Sequence, residues 1–116
     1  MIIANEKDLP AIAFQSPEVK DAAMKVLISE SQGWKDHVMR VIELAPGGYT
    51  PPHAHEWPHI NYMLEGEGVL KIDDQENSVA AGSYAYVPAG QVHQFRNTGN
   101  GKFRFMCIVP TEGHIA

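Results

Sequence analysis

Six histidines stand in a chain of 116 residues, and four of them, His53, His55, His59 and His93, are spaced in a way that suits metal coordination. His53 and His55 lie two residues apart, so on an extended strand both imidazoles leave the same face and converge on one point. His59 follows after Glu56-Trp57-Pro58, where the proline cannot extend a central ladder; a turn there can fold a third ring back toward the first two. His93 comes 34 residues later and reaches the same point only if strands pair across a barrel. Imidazole-rich sites suit zinc, copper, iron and nickel. A His-x-His pair in an exposed loop is also an ordinary solvated surface feature, and the third histidine and the wider pattern weigh against that reading here. His37 and His114 lie apart from the cluster and are expected not to be ligands.

Strands must carry these residues. From Asp36 to Pro110 short β-type runs alternate with Gly, Pro, Asn and Asp punctuation, the pattern of a sandwich or closed barrel. Strands are predicted at about 37–44, 50–55, 59–64, 68–72, 77–80, 83–87, 92–97 and 102–109, with turns at Pro46-Gly47-Gly48, Glu65 to Gly68, Asp73 to Glu76, Pro88-Ala89-Gly90 and Thr98 to Gly101. Residues 1–35 read as an arm packed on the barrel formed by 36–116. Ser16-Pro17-Glu18 resembles a helix start, favouring a short helix toward Ala23, and Met24 to Ser29 reads as a strand; a short helix and an edge strand are both open for this arm.

Composition narrows the class. The length fits one domain, and no stretch approaches the roughly 18 apolar residues of a membrane span. A net charge of −5 argues against a phosphate-tracking nucleic-acid surface, which relies on Lys and Arg. The single cysteine, Cys107, excludes an intrachain disulfide and a cysteine-based zinc cluster, and the N-terminus lacks a secretory pattern, so a cytoplasmic location and small-molecule partners are expected.

Two stretches carry a family pattern. The first is Gly47, five residues, His53-Ala54-His55, three residues, His59, six residues, Gly66; the second is Gly82, five residues, Pro88-Ala89-Gly90, two residues, His93, three residues, Asn97. Together they resemble the paired motifs of the cupin superfamily, at the short spacing of small bacterial members. Every fixed position matches but one: His59 stands where most cupins carry a glutamate ligand, and this resembles a subgroup with four histidine ligands. The resemblance implies an all-β, single-domain, double-stranded antiparallel β-barrel (jelly roll) holding one divalent transition metal (Mn, Fe, Ni, Cu or Zn) on His53, His55, His59 and His93. Exchanging carboxylate for imidazole favours nitrogen-preferring metals without choosing among them.

It also assigns faces. Residues 59, 61 and 63 point inward, while Ile60, Tyr62 and Leu64 point outward and want cover, from which a homodimer is expected, although the N-terminal arm offers an alternative. Phe95, Phe105 and Cys107 become candidate pocket walls. Arg40 is either a surface charge or an inward anchor for an anionic substrate, Trp57 either a loop anchor or pocket rim, and Asn97 a residue that holds a turn. The function this implies is a metal-dependent enzyme acting on a small organic substrate, foremost by dioxygenase-type oxidation. A sugar-type isomerase and a non-catalytic, metal-anchored binding protein are the alternatives.

Overall fold

A computed structural model describes residues 1–115 of the chain. Nine strands follow one another: β1 (Ile12–Ala13), β2 (Lys20–Ile28), β3 (His37–Tyr49), β4 (His59–Glu65), β5 (Glu67–Ile72), β6 (Gln75–Ala80), β7 (Tyr84–Val87), β8 (His93–Asn97) and β9 (Phe103–Pro110). They end in one helical turn, α1 (Thr111–Ile115). Every pairing is antiparallel, in the order β6-β5-β8-β3-β9-β4-β7, with β2 added to β3 and β1 to β2. The chain is therefore all-β, with the sheet curled around an apolar interior as the resemblance implies.

Alternation decides which side chains enter that interior. On β9, Phe103, Phe105, Cys107 and Val109 are buried while their neighbours are half-buried. On β4, His59, Asn61 and Met63 are buried, whereas Ile60, Tyr62 and Leu64 are 51%, 43% and 38% exposed. Tyr84 and Tyr86 on β7 pair with Tyr62 and Ile60 and extend this open outer face. The lower interior is packed by Leu44, Met63, Leu70, Phe95, Phe103 and Phe105. At about 25 cal/mol per Å² of apolar surface removed from water, this layer is the main favourable contribution to folding. Asn97 sits at its floor and holds a turn: its amide donates to the Leu44 and Gly101 carbonyls, both at 2.8 Å, and its oxygen accepts from Gly99 N–H.

Two local expectations are corrected. No helix follows Ser16; its Oγ accepts from Glu18 N–H at 3.3 Å in a tight turn, and the chain enters β2 at Lys20 instead of Met24. Pro46-Gly47-Gly48 does not end a strand but forms a bulge near the end of β3, with Gly47 at φ of 82°, where register jumps from Ala22↔Leu44 to Lys20↔Tyr49. The bulge absorbs the surplus residues and bends β3, so its first part pairs with β9 and its last residue with β8.

The arm is clamped outside by charge. Lys25 donates to the Glu6 carbonyl at 3.0 Å, and Arg104 binds Glu6, Glu43 and Glu65. No helix among the described residues is long and apolar enough to cross a membrane.

Candidate metal centre

The segment predicted as a strand at 50–55 is largely a loop, pinned to β8 at two points. Thr50 exchanges bonds with Phe95, its N–H reaching the Phe95 carbonyl and its Oγ1 accepting from Phe95 N–H, both at 3.0 Å. Three residues on, His53 and His93 form an isolated antiparallel bridge with reciprocal N–H···O=C bonds of 3.3 and 3.1 Å. The turn at Pro88-Ala89-Gly90 is tied back by Gly90 N–H to the His55 carbonyl at 2.7 Å. Backbone bonds thus place the two histidine motifs against each other before any side chain acts.

The side chains then converge. Ligand nitrogens of His53, His55 and His93 all lie within 4.8 Å of one another, so these three could hold a metal ion. His59 lies outside that trio, its ring centroid 6.4 Å from that of His55, but its Nε2 is 3.0 Å from His93 Nε2. His37 stacks on Trp34 and His114 on α1 touches Arg40; neither belongs to the trio.

Protons on the far nitrogens are fixed. His93 Nδ1 is 3.1 Å from the Gln91 carbonyl, which can only accept, so Nδ1 carries the hydrogen. His59 Nδ1 is 2.7 Å from Asn61 Oδ1, while Asn61 Nδ2 donates to the Met106 carbonyl at 3.4 Å, which orients the amide oxygen toward His59. Both rings therefore aim an Nε2 lone pair at the same point. Two facing lone pairs repel unless a cation lies between them. A transition metal held by His59 and His93 would supply that cation. Second partners of this kind orient a ligating imidazole. Asn61 and the Gln91 carbonyl were not assigned this part from sequence, although the inward position of Asn61 beside His59 was legible.

Burial keeps protons off the cluster. Burial, then the His93 charge, pushes His59 down to about 4 against the opposing Asn61 bond. Burial, with His53, His93 and Arg40, also pushes His55 down to about 4, and burial foremost lowers His53 and His93. A histidine depressed on folding contributes stability above its unfolded value near 6.5 that is lost as pH falls toward its folded value. The metal-free protein is therefore expected to melt at progressively lower temperature from pH 6.5 toward about 4. Thermal melts of chelator-treated protein at pH 7.5, 6 and 5 check this, and an unchanged midpoint across that window contradicts it.

The histidines line the floor of a cavity of about 360 Å³. Its walls include Arg40, Phe95, Phe105 and Cys107, together with Trp57, which stacks on His55 at 4.9 Å between ring centroids and 11° between planes. Arg40 lies on the inner face of β3 and lines this cavity. Burial pushes the Cys107 thiol up, keeping it a small apolar group. Phe14 and Val19 from the arm and Gly113 from α1 complete the mouth.

A family model described as Cupin domain matches residues 40–109. Among solved structures, the polyketide cyclase RemF from Streptomyces resistomycificus superposes with a TM-score of 0.89 at 31% identity, over 95% of this chain and 79% of that one. The oxalate-binding protein of Thermotoga maritima is 29% identical over 72% of this chain and 70% of its own length. Auxin-binding protein 1 of Arabidopsis thaliana is 26% identical over 93% of this chain, which spans 58% of that longer protein.

Proposed function

This chain belongs to the cupin domain family, and from that premise we propose that it is a metal-dependent enzyme acting on a small oxygenated organic substrate, with His53, His55, His59 and His93 as metal ligands. The carrying observation is the 3.0 Å approach of two oriented Nε2 lone pairs on His59 and His93 beside the trio. A transition metal held there supplies Lewis-acid polarisation of a bound oxygen, or O₂ chemistry if it is redox-active.

The chain's own residues bind and shield. Phe95, Phe105 and Trp57 provide apolar walls, and the cavity mouth is narrowed by the arm and α1. Asn61 and the Gln91 carbonyl hold the Nδ1 protons of His59 and His93 away from the reacting region. Glu18 is the one carboxylate among the lining residues and it is exposed at the rim. With no general base placed deep in the cavity, chemistry that draws little on protein proton transfer is favoured, and dioxygenase-type oxidation is the leading reaction class. The likeness to RemF supports a second reading, redox-neutral ring closure on a polyketide-like substrate.

Metal analysis of purified protein, followed by assays on diketones, phenols and hydroxyketones with O₂ uptake recorded, separates these readings. The expected result is bound transition metal and product formed with O₂ consumed. Product without O₂ uptake favours ring closure or isomerisation. Tight binding without any product makes the protein a binding module and overturns the enzyme reading.

A further inference from the structure

Among the described residues, three buried side-chain N–H groups lack an acceptor: Nε of Arg40, Nε1 of Trp57 and Nε of Arg96. The first two line the same cavity as the histidines. Arg40 is the sharper case. The other two arginines each have carboxylate partners, Glu76 for Arg96, and Glu6, Glu43 and Glu65 for Arg104. Arg40 has no carboxylate partner among the described residues. Its Nη2 reaches only Cys107 Sγ at 3.9 Å, and its Nη1 only His114 Nδ1 at 3.4 Å. Neither is an anion, and a guanidinium cannot shed its proton to escape burial.

Position on β3 explains why it is there. Val38, Ile42 and Leu44 on the same face are buried in the interior, so Arg40 must enter it too, opposite Cys107 in the β3–β9 ladder. The accessible apolar lining comes from the half-buried Phe14, Val19 and Trp57, the last lying parallel to His55, with the buried Phe95–Phe105 stack behind it. No lysine and no other arginine lines the cavity, so a doubly charged phosphate meets no second cation from the protein. A carboxylate matches one guanidinium fork.

We infer that Arg40 is the recognition residue for an aromatic carboxylate, whose oxygens take the Arg40 guanidinium and the Trp57 N–H while its ring lies in the apolar cavity beside the half-buried Phe14 and Trp57. This deepens, and rests on, the proposed small-molecule site.

Calorimetric titration with benzoate, neutral isosteric benzamide and inorganic phosphate tests it on the wild type, Arg40→Gln and Arg40→Lys, each zinc-loaded and chelator-treated. Benzoate is expected to bind the wild type at least about tenfold more tightly than benzamide, and Arg40→Gln to erase that preference. Zinc affinity by equilibrium dialysis should stay within about twofold in Arg40→Gln, as Arg40 is not a ligand. Arg40→Lys, keeping the charge without the fork, should retain part of the preference. A preference that survives Arg40→Gln, benzamide binding as well as benzoate, or no benzoate binding at millimolar concentration each overturns the inference. Phosphate binding as tight as benzoate overturns the carboxylate assignment. If zinc is not taken up, the metal reading fails by itself, and the chelator-treated titrations still decide the role of Arg40. If Arg40→Gln fails to fold by circular dichroism, the wild-type ratio and Arg40→Lys decide it.

Discussion

Replacing His93 by alanine is expected to lower affinity for zinc or nickel by at least about a hundredfold, since loss of even an outer partner of a metal ligand costs about 10–100-fold. His93 is the hub of the cluster. It belongs to the trio with His53 and His55 and also faces His59 at 3.0 Å, so its removal takes away the nitrogen that stands close to both. The barrel should survive, because β8 is held by backbone pairs with β5 and by the His53 bridge, none of which uses the imidazole. Water can fill the space, where the remaining imidazole nitrogens offer it polar partners. His59→Ala, which removes a ring outside the trio, should weaken binding less and likewise leave a folded barrel. Equilibrium dialysis for metal and circular dichroism for fold read both variants. Unchanged metal affinity in His93→Ala would remove the histidine cluster as the site, and a His59→Ala chain unfolded at room temperature would make the metal a structural staple.

The inward set on β4 and β9 was legible because those strands alternate cleanly, one face buried and the other exposed on β4 and half-buried on β9. Arg40 was not, because Val41 is also buried: the arm covers the outer face of β3 around the Glu6 clamp, so both faces of that stretch are apolar and alternation fails. The Pro46-Gly47-Gly48 segment carries every mark of a turn, and Gly47 does take φ of 82°, yet it is absorbed as a bulge of β3 against β2. That depends on Asp21, 26 residues away, whose φ of 47° lies in the left-handed region. Local residue chemistry contains no trace of such pairing.

The two histidine motifs survived a wrong secondary-structure assignment. His53 and His55 converge, with ring centroids 4.1 Å apart, although a loop tied to β8 carries them where a strand was predicted. The closure at the C-terminus was invisible for a different reason. A five-residue helical turn with glycine at its centre has no amphipathic signature, and Gly113 matters only through Trp57, whose Nε1 would lie 2.5 Å from a Cβ there.

The largest effect on stability is expected from Gly66→Ala. Gly66 is the only residue between β4 and β5, and it turns the chain with φ of 79°, in the left-handed region that a side chain adopts only at a cost. A Cβ there would stand 2.1 Å from the Lys102 carbonyl oxygen, 3.0 Å from its carbon and 3.1 Å from Phe103 Cα. All three are backbone atoms, so no rotamer change relieves the overlap. The start of β9 must move, and with it Phe103, which is fully buried against Phe95 and Phe105. Left-handed strain and overpacking each cost about 1–3 kcal/mol, and their sum of about 2–6 kcal/mol is a large part of the 5–15 kcal/mol typical of a domain. Gly101→Ala is the control, since a Cβ there meets nothing within 4 Å and its φ is not positive; it should shift stability by no more than about 0.5 kcal/mol. Urea denaturation of both variants, followed by circular dichroism, gives the comparison. Equal midpoints would mean that the β4–β5 turn does not approach β9 as described, and the motif glycine would then have no packing reason to be there.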